Sequence, residues 1–124
     1  MPNLNATNLR PFVPAKDFAL SRRFYAALGW DVQDVDPRLA LVTIGAGQQF
    51  YLQDFYLQEF AENATLHVTV ESAADWHAHV AAALETGHFA AACVHAPARQ
   101  DYGATVVFVH DPSGVLLHLC QWDR

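Results

Sequence analysis

The sequence predicts an α+β protein made of two tandem β-α-β-β-β units. Three observations predict it. Residues 65–71, TLHVTVE, alternate apolar and polar side chains as a half-buried strand must. Residues 106–122, VVFVHDPSGVLLHLCQW, set two short apolar runs on either side of Asp111-Pro112-Ser113-Gly114. Pro and Gly within four residues mark a tight reversal, so the runs read as paired strands. Finally, one order of elements (strand, helix, three strands) can be read in each half of the chain.

The first unit, about residues 8–57, opens with an extended run at 9–14, LRPFVP. Pro11 and Pro14 cannot donate to a ladder, which places this strand near a sheet edge. A helix is predicted over 17–28. Asp17 is its N-cap, Phe18, Phe24, Tyr25 and Leu28 recur at spacings that suit one helical face, and Gly29 stops it. Strands follow at about 30–35, 39–44 and 49–56, with Asp36-Pro37 and Gly45-Ala46-Gly47 at the reversals. Residues 57–64, LQEFAENA, join the units. They are too few and too apolar for a flexible interdomain linker, so the whole chain is expected to be a single domain.

The second unit, about residues 64–124, repeats the order. After the strand at 65–71 comes a helix over 73–86, capped by Ser72 and stopped by Gly87, then strands near 92–96, 104–110 and 115–122. Alternation assigns faces. Leu66, Val68 and Val70 point one way, toward the helices; Thr65, His67 and Thr69 point the other. In the last strand Leu117 and Leu119 point to the helices, and Leu116, His118, Cys120 and Trp122 away from them. An ionisable group in the middle of an apolar strand needs a reason. His67 and His118 are therefore expected to face one enclosed space furnished with polar and aromatic groups, as small-molecule pockets are.

Composition bounds the partners. At 124 residues, 52% hydrophobic and 16% charged, the chain can bury a core of its own. Its net charge is −6 and Lys16 is its only lysine, so it lacks the clustered cations that nucleic acid or an anionic membrane surface requires. No apolar run approaches a membrane-spanning length of about 20 residues, and the first residues, MPNLNATNLRPF, do not read as a signal peptide. A cytoplasmic location is expected. There Cys93 and Cys120 are core or pocket thiols, and no Cys-x-x-Cys or Cys/His zinc spacing occurs along the chain. Most of the seven histidines are expected on surfaces, and His77 and His79, two apart on a helix, do not share a face.

Pro14-Ala15-Lys16-Asp17, Ser21 and Phe24-Tyr25-Ala26-Ala27-Leu28-Gly29-Trp30 in the first unit, with Asp111-Pro112-Ser113-Gly114 before an apolar strand in the second, resemble the vicinal oxygen chelate superfamily. That group includes glyoxalase I, bleomycin-resistance proteins and extradiol dioxygenases. The resemblance implies curved mixed sheets around a shared cavity. It also implies a homodimer with pockets at or near the interface, a contact for which the aromatic loop at Phe55, Tyr56 and Phe60 is suited. Relatives that use a metal carry ligands at four strand positions, which here fall on Arg10, Tyr51, Thr65 and His118. Of these only His118 binds a divalent ion well, and Arg10 is a fixed cation. A shifted set of His67, His118 and Gln53 is the metal-binding alternative.

The candidate ligand-binding residues are Arg10, Tyr51, Gln53, His67, Tyr102, His118 and Trp122. His118 has three sharp roles open to it (metal ligand, general base, hydrogen-bond partner of a ligand) and a structural one, a buried histidine satisfied by a neighbour. Arg10 suits a carboxylate or phosphate, or simply solvent. Tyr51, Phe50, Phe55, Tyr56 and Trp122 supply flat walls or core, and Tyr102-Gly103 falls where relatives have an aromatic-Gly pair near the pocket mouth. No catalytic triad or phosphate loop is readable. The expected function is a metal-independent small-molecule-binding protein like the bleomycin-resistance proteins, sequestering or protective, with no cofactor. One alternative is a glyoxalase-like lyase, isomerase or dioxygenase with one divalent ion on His67 and His118. The other is a dimeric structural protein with a residual pocket.

Overall fold

The computed structural model describes all 124 residues. The first module comprises β1 (Phe12–Pro14), α1 (Phe18–Ala27), β2 (Asp31–Asp36), β3 (Leu39–Ile44) and β4 (Gln48–Gln53). A four-residue helix, α2 (Gln58–Ala61), leads to the second: β5 (Thr65–Thr69), α3 (Ala73–Glu85), β6 (Cys93–Val94), β7 (Ala98–Gln100), β8 (Ala104–His110) and β9 (Leu116–Trp122). The helix ends form as the sequence predicts. Asp17 Oδ1 accepts from Leu20 N at 3.0 Å and Ser72 Oγ from Asp75 N at 3.1 Å. Gly29 and Gly87 take the positive φ of a helix stop, 92° and 78°.

The modules repeat in pairing as well as in order. One sheet runs β1-β4-β3-β2, the other β5-β9-β8-β6, with β7 also on β8. In each, the first strand is parallel to the last (β1 to β4, β5 to β9) and the remaining pairs are antiparallel. The architecture is thus α+β with two mixed sheets. No helix is long and apolar enough to cross a membrane.

The apolar core runs through both modules. Phe24, Tyr25, Trp30 and Phe50 of the first and Val107, Val109, Leu117 and Leu119 of the second belong to one buried cluster. Phe24 meets Phe89 edge-on at 5.6 Å and Trp30 leans on Trp76 at 6.1 Å. His79 Nε2 lies 3.0 Å from the Leu28 carbonyl, which ties α3 to the end of α1.

Asp111-Pro112-Ser113-Gly114 is more than a turn. Asp111 is fully buried, and its Oδ1 accepts from Ser113 N (2.8 Å) and Val115 N (3.0 Å). Its Oδ2 accepts from the Tyr25 hydroxyl of α1 at 2.6 Å. Ser113 Oγ accepts from Lys16 N at 2.9 Å and lies 3.3 Å from Ser21 Oγ. Burial raises the Asp111 pKa, while the bonds from Tyr25 and the backbone amides hold it down in part. Burial, and then the Asp111 charge, raise that of Tyr25 well above the phenolic range.

Some boundaries differ from the sequence reading. The first strand is confined to Phe12–Pro14, so Arg10 precedes it; Pro11 has no N–H for a ladder. The strand expected over 49–56 ends at Gln53, which puts Phe55 and Tyr56 in the following loop. The segment 57–64 holds α2, and the edge of the second sheet is split into β6 and β7, of which β7 was not foreseen.

Candidate functional site

Period-two alternation sorts each sheet into a face on the core and a face turned away from the helices. On the second sheet Leu66, Val68 and Val70 reach the core, as do Leu117 and Leu119. The parallel register of β5 and β9 sets His67 directly beside His118. Their rings are 6.3 Å apart. Phe108 meets His118 edge-on at 4.9 Å, and Trp122 lies 5.7 Å from His67 on the other side. Tyr102 extends the row, 5.7 Å from Trp122. Five rings, in the order Phe108, His118, His67, Trp122, Tyr102, thus cross this face. Trp122 Nε1 donates to Thr69 Oγ1 at 3.3 Å, which fixes its edge. Ala104, Val106 and Cys120 form a small buried cluster with Phe108 on the same face, and burial raises the Cys120 pKa, so its thiol stays protonated.

Neither imidazole has a hydrogen-bond partner within the chain. Burial lowers the His118 pKa from its ordinary 6.5, and the positive charge of His67 lowers it further. His118 is therefore a neutral donor-acceptor at pH 7. A group whose folded pKa lies below its unfolded value binds fewer protons when folded, so its contribution to stability is whole above pH 6.5 and is lost as pH falls toward the folded value. An NMR pH titration is expected to find the His118 ring below 6.5. In His67→Ala it should rise only part of the way back, because burial, the larger cause, remains. A full return would mean that burial is not the main cause.

On the first sheet, Arg10 is held by neutral groups. Its Nε donates to Gln49 Oε1 and its Nη1 to the Tyr51 hydroxyl, both at 3.0 Å, and its guanidinium carbon lies 5.6 Å from the centre of the Tyr51 ring. Gln49 in turn donates to Thr43 Oγ1 at 3.0 Å. The chain's ion pairs are Arg22–Asp34, Arg38–Asp54 and Arg99–Asp123; Arg10 has no carboxylate. It is an aimed cation with its charge uncompensated.

The expected residues do not all meet. His67, His118, Trp122 and Tyr102 share the second sheet, and Arg10 and Tyr51 are joined on the first. Gln53 is separate again, in a surface cleft of about 350 Å³ with Phe12, Arg38 and Phe55. No single cavity is lined by the whole set, and of the two histidines only His67 borders the largest one. That cleft, of about 530 Å³, lies between the modules along β5 and is walled by Trp30, Ile44, Gln48 and Trp76. In the loop foreseen as a contact, Phe55 and Phe60 are exposed, but Tyr56 packs against the core beneath the Lys16 ammonium, 5.4 Å from its ring centre.

The four positions matching the family's metal ligands do not fit a divalent ion. Arg10 and Tyr51 bond to each other, Arg10 carries a permanent positive charge, and Thr65 offers only a hydroxyl. His67 and His118 supply two imidazoles, and Gln53 of the shifted set stands on the other sheet. The sequence reading missed a different cluster: Cys93, His95 and His110, at the β6 edge of the second sheet. Cys93 is therefore not a core thiol. The usable signal was a Cys-x-His that runs off the end of a short strand, with a histidine across from the cysteine, which requires knowing the register.

No family model matches the sequence, and no curated protein is recognisably similar to it. Solved structures are similar in fold. A bleomycin resistance determinant encoded on the transposon Tn5 superposes with a TM-score of 0.77 at 22% identity, covering 96% of this chain and 100% of that one. The bleomycin-binding protein of Streptomyces verticillus, complexed with copper(II)-bleomycin, gives 0.75 at 18% identity, covering 98% and 99%. A lactoylglutathione lyase from Agrobacterium tumefaciens gives 0.67 at 16% identity, covering 94% and 95%. These neighbours are members of the vicinal oxygen chelate superfamily, and this chain has their fold.

Proposed function

We propose that the chain binds a flat, partly aromatic small molecule carrying an anionic group, and that it does so by sequestration, with no metal at the family's ligand positions. The row of five rings on the second sheet carries this reading: it offers stacking area across an open face, with neutral His118 ready to hydrogen-bond. Arg10 supplies the cation for the anionic group. It sits on the other sheet, so the proposal includes a homodimer in which the first sheet of one copy faces the second sheet of its partner. The exposed aromatics Phe12, Tyr102 and Trp122 on those faces favour such a contact. That two structural neighbours are described as a bleomycin resistance determinant and a bleomycin-binding protein supports the ligand class.

A thermal-shift screen over planar antibiotics, aromatic acids and thiol conjugates tests the reading. A true ligand at 100 times its dissociation constant should add about 2.7 kcal/mol of stability. Sedimentation at micromolar concentration should find a dimer. If no class shifts the melting temperature, binding fails and a dimer with a residual pocket remains. If the protein sediments as a monomer, Arg10 and the row of rings cannot share a ligand in this way.

A further inference from the structure

We infer that Cys93, His95 and His110 form a binding site for one borderline-soft transition-metal ion, zinc(II) in particular, separate from the family's ligand positions. Strand register builds the cluster. Cys93 and His95 are two apart on the edge of the second sheet, so they project from one face, while Val94 between them packs against the core. His110 is the residue directly opposite Cys93 in the antiparallel β6–β8 pair. His95 N donates to the Phe108 carbonyl at 3.0 Å, which keeps the ladder going to the third ligand.

The distances suit a metal. Cys93 Sγ lies 3.5 Å from His110 Nδ1 and 3.9 Å from His95 Nε2, and all three donor atoms fall within 4.8 Å of one another. A tetrahedral zinc with bonds of about 2.3 Å to sulfur and about 2.0 Å to nitrogen separates sulfur from nitrogen by about 3.5 Å. The set is therefore close to ligand geometry before any ion is bound. Cys93 and His95 are exposed, which gives the ion a way in. No carboxylate belongs to the cluster, so the donors are one thiolate and two imidazoles, a soft set that selects zinc or copper over magnesium or calcium. Three protein ligands leave the fourth position to water. Binding replaces the thiol proton by the metal, releasing one proton per ion, so affinity falls as pH falls.

The experiment is zinc titration of the reduced, metal-free full chain against a chromophoric chelator. One zinc per chain is expected, with a dissociation constant on the order of 1 μM or tighter. Loss of a mere outer-shell partner costs a metal site about 10- to 100-fold, so Cys93→Ser and His110→Ala should each weaken uptake at least that much. His118→Ala should leave it unchanged. Cobalt(II) should give a thiolate charge-transfer band that Cys93→Ser abolishes. The wild-type chain gives an independent readout: one equivalent of zinc should protect Cys93 from alkylation, Cys120 being buried already. Uptake below one ion per chain, uptake that survives Cys93→Ser and His110→Ala, unprotected Cys93, or loss of binding in His118→Ala instead would each overturn the site.

Discussion

Asp111→Ala is expected to destabilise the protein by about 4 kcal/mol or more, a large share of the usual total stability of about 5–15 kcal/mol. Three donors converge on this carboxylate: Ser113 N, Val115 N and the Tyr25 hydroxyl. Alanine leaves all three without an acceptor in a site from which solvent is excluded, and each orphaned group costs about 1–3 kcal/mol. The truncated side chain leaves a void as well. Asp111→Asn keeps an oxygen for the two amides and can offer its NH₂ to the Tyr25 oxygen, so it should cost about 1–2 kcal/mol. Tyr25→Phe removes one donor and should fall in the same range. Urea unfolding with a common m-value reads all three. An Asp111→Ala unfolding free energy within about 1 kcal/mol of wild type would mean that the buried network does not hold the modules together.

That network shows what a motif reveals and what it hides. Asp111-Pro112-Ser113-Gly114 was readable as a reversal because turn chemistry is local. Its second role was not readable, because Ser113 Oγ meets Lys16 N across 97 positions of sequence. The same division holds elsewhere. Both long helices were legible from Asp17, Ser72 and the glycines that stop them, and the strands from alternation. Helix α2 and strand β7 were not, since four and three residues carry no period to detect. The split edge follows from the break between β6 and β7 at residues 95–97, which includes Pro97.

The candidate site was legible one sheet at a time. Period two places His67 and His118 on the outer face of their strands, and the structure sets them side by side. What alternation cannot give is how two sheets stand relative to each other, and this is where the expected single cavity separates into distinct places. The partners of Arg10 were hidden for the same reason: Gln49 and Tyr51 lie 39 and 41 residues away. Cys93, His95 and His110 are brought together by a register that no spacing announces.

Two substitutions should separate the parts of a bound ligand. Trp122→Ala removes a ring that sits between Tyr102 and His67. Stacking and buried area together make such a ring worth about 2 kcal/mol, so affinity should fall about 30-fold for every flat ligand, charged or neutral. Arg10→Ala acts differently. A hydrogen-bonded charge contributes about 1.5–3 kcal/mol, so a carboxylate-bearing ligand should lose about 10- to 150-fold, while its neutral amide should lose almost nothing. Neither change should cost much stability, because Trp122 is exposed and Arg10 makes only partly exposed bonds. Calorimetry on acid and amide in wild type and both variants gives the four comparisons. If Arg10→Ala weakens acid and amide equally, the cation does not read the ligand's charge. If Trp122→Ala leaves binding intact while Trp76→Ala abolishes it, the ligand lies in the cleft between the modules rather than on the row of rings. His67 borders both places, so His67→Ala should weaken binding in either case and cannot by itself decide between them.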